Sequence, residues 1–95
     1  MDVVFEIKDK TGRKIRLSKE RWNHIKQRHQ NVADFEEIEL VIKNPLKTVD
    51  DEENIMIYYK YFKNRKEHAK YLKVIVKYLN GEGYVITSYF VKNML

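Results

Sequence analysis

The chain has 95 residues, 43% of them hydrophobic, and a formal net charge of +5, which fits one folded domain over residues 1–95 rather than a disordered segment. It contains no cysteine, which excludes disulfide bonds, thiolate zinc sites and a cysteine nucleophile. No apolar run approaches the ~20 residues that cross a bilayer, and Asp2 and Glu6 interrupt the apolar N-terminus. We therefore expect no signal peptide and a cytoplasmic protein without a membrane partner.

The charge is divided into blocks along the chain. Residues 8–30 carry nine Lys/Arg and two acids, residues 34–53 carry eight acids and two lysines, and residues 60–77 carry seven Lys/Arg and one acid. A basic protein with charge segregated in this way favours a polyanionic partner, most often nucleic acid. The alternative is that the acidic block pairs with a basic block, within the fold or across a homodimer.

The N-terminal third predicts a hairpin followed by a helix. "VVFEIK" alternates apolar and polar residues and "RKIRL" repeats that pattern, so two strands flank the turn "DKTG". Ser18 is a good N-cap for a helix from Lys19 to about Gln30, with Glu20 in its first turn.

A second helix is predicted after "NVAD". Asp34 followed by Glu37 resembles a capping box, and Pro45 ends the helix because the residue before proline avoids helical angles. The residues expected to form its apolar face are Phe35, Ile38, Leu40, Val41 and Ile42.

The remaining chain predicts strands. "LKTVDDEEN" suits a short strand entering an acidic turn, "IMIYYKYF" has strand composition, and "KNRKEHAK" suits a long loop. "YLKVIVKY" alternates with Leu72, Val74, Val76 and Tyr78 inward, and "LNGEG" is a turn leading to "YVITSYFV". We expect an α+β fold: a twisted antiparallel sheet of about four to six strands with both helices on one face.

The helix segment "RWNHIKQRH" holds two of the three histidines. At ~100° per residue, Trp22, Ile25 and His29 share one stripe, whereas His24 lies ~140° from His29, on the side of Arg21 and Arg28. The two histidines are therefore not an i, i+4 metal pair, and we expect no metal or cofactor. Trp22 is expected to pack the helix onto the sheet.

Each histidine has two interpretations. His29 suits either a hydrogen-bonded core position or a general acid/base at the border of a cleft, because its reference pKa near 6.5 lets imidazole both accept and donate protons. His24 is either solvated or the partner in that chemistry.

The last two strands carry a second polar set, Lys73, Lys77, Thr87 and Tyr89. Its arrangement depends on the hairpin around residues 80–83. A two- or four-residue loop is expected to set Thr87 opposite Val76, whereas a three-residue loop with a glycine bulge sets Thr87 near Ile75 and Tyr89 near Lys73. Only the second arrangement gathers lysines, hydroxyl and phenol on one surface.

Such a surface has the groups that cut RNA without a metal. The reaction needs a base for the 2′-OH, an acid for the leaving oxygen and cations for the phosphorane. His24, His29, Lys77, Thr87 and Tyr89 are the candidate catalytic groups. Arg21, Arg28, Arg65, Lys66 and Lys73 are candidates for binding nucleic acid. The alternative is a basic, tyrosine-rich sheet face that meets RNA or a protein partner without chemistry.

Together, "RWNHIKQRH", the helix ending at "KNP", "YYK", "YLKVIVKY" and "YVITSYF" resemble the barnase–EndoU–colicin–RelE (BECR) superfamily of small nucleases. The likeness is to a phage- and toxin-associated branch with a "W-x-H-I-x-x-x-H" helix, a lysine-ended apolar strand and a "T-x-Y/F" strand. It spans residues 22–89.

The resemblance implies a metal-independent endoribonuclease, often the toxin partner of a protein antitoxin. The positions that match the family's motifs are His24, His29, Lys77, Thr87 and Tyr89. The chain departs from the family in lacking a carboxylate placed like barnase's glutamate, and the superfamily includes members without activity. A non-catalytic RNA-binding or partner-binding module is therefore the alternative function.

Overall fold

The computed structural model describes residues 2–95. Two strands, two helices and four strands follow one another along the chain. Their bounds are β1 Val3–Lys8, β2 Lys14–Ser18, α1 Lys19–Arg28, α2 Phe35–Lys43, β3 Lys47–Asp50, β4 Ile55–Tyr61, β5 Tyr71–Leu79 and β6 Glu82–Val91.

Six strands form one sheet in the order β1-β2-β6-β5-β4-β3, and both helices lie against it. The expected α+β fold is confirmed. One detail differs: β2 and β6 run parallel over two residue pairs, while the other neighbours are antiparallel, so the sheet is mixed. Within residues 2–95, neither helix has the length and apolarity of a membrane span.

The core lies between the helices and one face of the sheet, which we call the helix face. The inward residues of β5 were predicted correctly, since Leu72, Val74 and Val76 are fully buried and Tyr78 packs against the same core. The prediction for Leu40 was wrong, because it is 50% exposed. At ~100° per residue it points away from Ile38, Val41 and Ile42, which are buried in α2.

Local signals fix the ends of both helices. Ser18 Oγ accepts a hydrogen bond from the Arg21 N–H, and Asp34 caps α2 through the Glu36 N–H. These bonds satisfy amides that have no partner inside the helix. Helix α1 ends at Arg28 with His29 as its C-cap, two residues before the expected end.

The β5–β6 hairpin has the two-residue loop of the first expected arrangement and the strand pairing of the second. The turn is the two-residue loop Asn80–Gly81, with φ of 54° and 81°. Uninterrupted pairing from this turn would set Thr87 opposite Val74. A β-bulge at Ile86 adds one residue to β6, so Thr87 pairs with Ile75 and Tyr89 with Lys73.

The bulge therefore assigns the side chains of β6 to their faces. Ser88 and Phe90 turn inward and are buried, and Ser88 Oγ donates a hydrogen bond of 2.9 Å to the Lys73 carbonyl. Thr87 and Tyr89 turn to the opposite side of the sheet, which we call the open face.

Asp9 joins the β1–β2 turn to the middle of the sheet. Its carboxylate accepts hydrogen bonds from the Thr11 hydroxyl at 2.6 Å, the Arg13 amide at 3.0 Å and the Tyr58 hydroxyl at 3.0 Å, and Tyr78 lies within 3.4 Å. Burial alone would raise the pKa of Asp9, but these hydrogen bonds outweigh it and hold the pKa below its usual value. The carboxylate thus ties the hairpin to residues far along the chain.

Gly83 lies where β2 meets β6, so a substitution at this position tests how closely the two strands pack. A Cβ there would come within 2.9–3.0 Å of Tyr78, Ile15 and Val76. We expect Gly83→Ala to lower the free energy of unfolding by about 1–3 kcal/mol, because the packed core must shift to admit the methyl group. Urea denaturation followed by circular dichroism measures the change.

The comparison variant is Gly81→Ala, which introduces the same methyl group. Gly81 has no atom within 4 Å of a built Cβ but a φ of +81°, so any loss of stability there comes from the backbone and not from packing. Equal stability of Gly83→Ala and the wild type would contradict the close packing of β2 on β6.

Candidate functional site

Helix α1 lies beside β6 because β2 covers only the start of that strand. Strand β2 pairs with β6 at Ile15–Gly83 and Arg16–Tyr84, and α1 contacts β6, β2 and β1. Trp22 and Ile25 hold the helix in place as its buried residues. Trp22 belongs to the buried core cluster and meets Phe35 of α2 edge-on, with ring centroids 5.9 Å apart.

This placement brings the end of α1 to the second half of β6. The His29 N–H closes the helix on the Ile25 carbonyl at 2.7 Å. The imidazole of His29 stacks on the Tyr89 ring, with centroids 5.1 Å apart and planes inclined by 30°. The C-terminal end of the helix and the open face of the sheet therefore share a border.

Lys73 and Thr87 complete this group. The Lys73 ammonium lies 5.4 Å from the centroid of the Tyr89 ring, within the range of a cation–π contact. Thr87 is two residues before Tyr89 on the same strand and pairs with Ile75, so its hydroxyl belongs to the same face. We call His29, Lys73, Thr87 and Tyr89 the His29 cluster.

The environment of His29 favours its neutral form. Burial of the imidazole lowers the pKa of His29 below its ordinary 6.5, and the positive charges of Arg28 and His24 lower it further. A histidine that is neutral at pH 7 has a free ring nitrogen and can accept a proton. His29 thus has the properties of a general base.

The remaining helix candidates are solvent-facing. His24, Arg21 and Arg28 are exposed on α1, and only His24 and Arg28 influence the charge state of His29. Arg21 lies near the start of the helix and lines a separate cavity with Lys77.

The two lysines of β5 occupy different parts of the open face. Lys73 pairs with Tyr89, whereas Lys77 pairs with Tyr84, four residues or about 13 Å farther along the strand. The structure therefore brings Lys73, rather than Lys77, to the His29 cluster. The sequence analysis placed Lys77 among the catalytic candidates on the resemblance and Lys73 among the binding residues, although one of its two registers already set Tyr89 near Lys73.

Arg65 is engaged within the fold. Its guanidinium carbon lies 3.5 Å from the centroid of the Phe90 ring. It also donates hydrogen bonds to the Asn31 carbonyl at 3.3 Å and to Glu67 at 2.8 Å. Arg65 thus fastens the 62–70 loop to the turn after α1, while its expected partner Lys66 is exposed.

The acidic block forms no direct ion pair with a basic block. Six ion pairs occur in residues 2–95, and the only one that involves the acidic block, Lys43–Glu39, lies inside it. Glu52 and Glu53 nevertheless line one cavity with Lys77. Across residues 2–95, no three side chains of the types that bind metal converge.

Neither the models of known protein families, nor functionally characterised proteins, nor solved protein structures give a match to this chain.

The pKa of His29 provides a test of the cluster. In a proton-NMR titration, we expect His29 to titrate below 6.5, and Tyr89→Ala to raise its pKa towards that value because water reaches the exposed ring. The matched control is Tyr61→Ala, since Tyr61 is exposed on β4 and paired with Tyr71.

The lowered pKa of His29 also predicts how the free energy of unfolding changes with pH. Because the folded state lowers the pKa of His29, the unfolded state binds more protons, and the free energy of unfolding falls as the pH drops below 6.5. A His29 pKa at or above 6.5 in the wild type would contradict the partly buried, stacked imidazole.

Proposed function

We propose that the protein is a metal-independent endoribonuclease that cuts single-stranded RNA at the His29 cluster. The observation that carries the proposal is the stack of the partly buried His29 on Tyr89, with the Lys73 ammonium at the same ring. Base, cation and hydroxyl groups thus share one edge of the open face, which is what transfer of an RNA phosphodiester requires.

In the proposed reaction, neutral His29 removes the proton of the ribose 2′-OH. The 2′-oxygen attacks the adjacent phosphorus, and the bond from phosphorus to the 5′-oxygen of the next nucleotide breaks. The 5′-oxygen takes a proton from a general acid, for which His24 and Tyr89 are the candidates. The products are a 2′,3′-cyclic phosphate and a 5′-hydroxyl end.

Lys73 and Thr87 act on the phosphate. Charge accumulates on the non-bridging oxygens as the 2′-oxygen attacks, and a fixed ammonium stabilises that charge more than it stabilises the ground state. The Thr87 hydroxyl is a hydrogen-bond donor to the same oxygens.

Charge and resemblance support the same function. The two basic blocks form no ion pair with the acids of residues 34–53. Their positive charge therefore attracts a polyanion. The likeness to the toxin-associated BECR branch extends the proposal to a cytoplasmic toxin that a protein antitoxin restrains.

Cleavage of single-stranded RNA in EDTA tests the proposal. We expect His29→Gln to lower kcat/KM by ~100-fold or more, because loss of a general base typically costs 10²–10⁴-fold. For the wild type, the acid limb of the pH profile should have its midpoint below 6.5, since His29 must be neutral to act.

Two further comparisons assign the remaining roles. Lys73→Gln should lower kcat, whereas Lys43→Gln, which removes a lysine from α2 on the helix face, should not. Tyr89→Phe and His24→Gln identify the general acid, because only loss of the acid moves the alkaline limb of the profile. RNA that is bound but left intact from pH 5 to 8 would refute the nuclease and select the RNA-binding module.

A further inference from the structure

Apart from the His29 cluster, a cavity opens on the open face of the sheet at the bulge of β6. It has a volume of about 370 Å³ and lies between the start of α1 and the β5–β6 hairpin. Its lining comprises Val3, Arg16, Ser18, Arg21, Lys77, Leu79, Tyr84, Val85 and Ile86. We call it the bulge pocket.

The bulge builds this pocket. Ile86 is the extra residue of β6, and Tyr84 precedes it with its ring on the open face opposite Lys77. Together with Val3 and Leu79, they give the cavity an apolar and aromatic wall. Leu79 is 49% exposed and Val3 37%, so this wall faces solvent. A flat, apolar group such as a nucleobase fits such a wall, because every base has a face that stacks on aromatic and apolar side chains.

The polar groups of the pocket are donors. Ser18 Oγ accepts the Arg21 amide at 3.1 Å, which leaves the hydroxyl proton for a ligand. Arg21 and Lys77 form no ion pair with any carboxylate of residues 2–95. Free cations beside an apolar wall match a ligand that is anionic at one end and flat at the other.

Arg16 adds no net positive charge to the bulge pocket. Its guanidinium is held by Glu6 at 2.6 Å and by Glu82 at 2.9 Å, so its charge is balanced. These pairs orient Arg16 along the floor between β2 and β6, next to Tyr84. The net attraction for an anion therefore comes from Arg21 and Lys77.

The distance to the His29 cluster suits neighbouring nucleotides of one strand. The Lys77–Tyr84 pair is two residues along β5 from the Ile75–Thr87 pair and four from the Lys73–Tyr89 pair, or about 7 and 13 Å at the rise of a strand. A single strand of RNA running along β6 passes from one to the other. On its β4 side, Lys77 also lines a cavity with Glu52 and Glu53, and these acids restrict a phosphate to the side of Lys77 that faces Arg21.

We infer that the bulge pocket binds one unstacked nucleotide of single-stranded RNA, next to the phosphate that is cut at the His29 cluster. The base lies against Tyr84 and Ile86, and its phosphate contacts Arg21 and Lys77. The inference rests on the proposed function for the identity of the ligand. It gives a physical reason for the single-stranded substrate, because a base in a duplex cannot turn its face to the pocket.

The test measures binding separately from cleavage. A fluorescent single-stranded RNA with 2′-O-methyl groups cannot undergo 2′-oxygen attack, and its Kd is obtained from fluorescence anisotropy. We expect Tyr84→Ala to raise the Kd about tenfold, within the range for loss of one stacked base. Arg21→Gln, an exposed substitution that leaves the core intact, should raise the Kd and lower the slope of log Kd against log salt by about one.

The controls match each variant. Tyr61→Ala removes a tyrosine from another part of the sheet, and Lys19→Gln removes one charge from the same helix turn; both should retain the wild-type Kd within about twofold. A duplex of the same sequence should bind more weakly and should not distinguish Tyr84→Ala from the wild type.

The outcomes separate this inference from the nuclease proposal. If Tyr84→Ala and Arg21→Gln bind as tightly as their controls, the pocket does not hold a nucleotide, even if RNA is cut; a protein ligand for the pocket would give that result. If they weaken binding while RNA remains uncut, the pocket stands and the nuclease fails. If no RNA binds at low salt, both are overturned.

Discussion

The bulge at Ile86 is the constraint on which the arrangement of the open face depends. Since side chains alternate along a strand, a shift of one residue exchanges everything that follows between the two faces. Without the shift, Thr87 and Tyr89 would enter the core, and Phe90 would lie in solvent. With it, Phe90 is buried against Phe62 at 5.8 Å, Ser88 bonds a backbone carbonyl, and the phenol of Tyr89 reaches the open face. The bulge thus buries Phe90 and Ser88 in the core and places Tyr89 on the open face.

The open face also depends on the position of α1, whose C-terminal end reaches the second half of β6. The parallel contact of β2 with β6 is only two residue pairs long, so the later part of β6 meets the helix instead of another strand. Trp22 and Ile25 fix the rotation of the helix, and that rotation brings His29 to Tyr89. A longer β2 would displace the helix from this edge. The short strand and the bulge therefore act together, one placing the imidazole and the other placing the ring it stacks on.

Local chemistry predicted the elements well. Ser18, Asp34 and the Asn80–Gly81 turn each act through atoms within three residues, so the sequence alone reveals them. Features that depend on distant contacts were not predictable. The Asp9–Tyr58 bond joins residues 49 positions apart. The β5–β6 register was left open between two arrangements, and the bulge at Ile86 decides it by setting Tyr89 opposite Lys73. Likewise, the packing of Arg65 on Phe90 depends on where a long loop folds back.

We propose that His29 and Lys73 face one phosphate of a bound RNA strand. A crystal structure with a short single-stranded RNA carrying 2′-O-methyl groups tests this arrangement directly. We expect a phosphate within hydrogen-bonding distance of the Lys73 ammonium, with the modified 2′-oxygen turned towards the His29 imidazole. RNA bound on the helix face, or a strand that passes β6 without approaching His29, would contradict it.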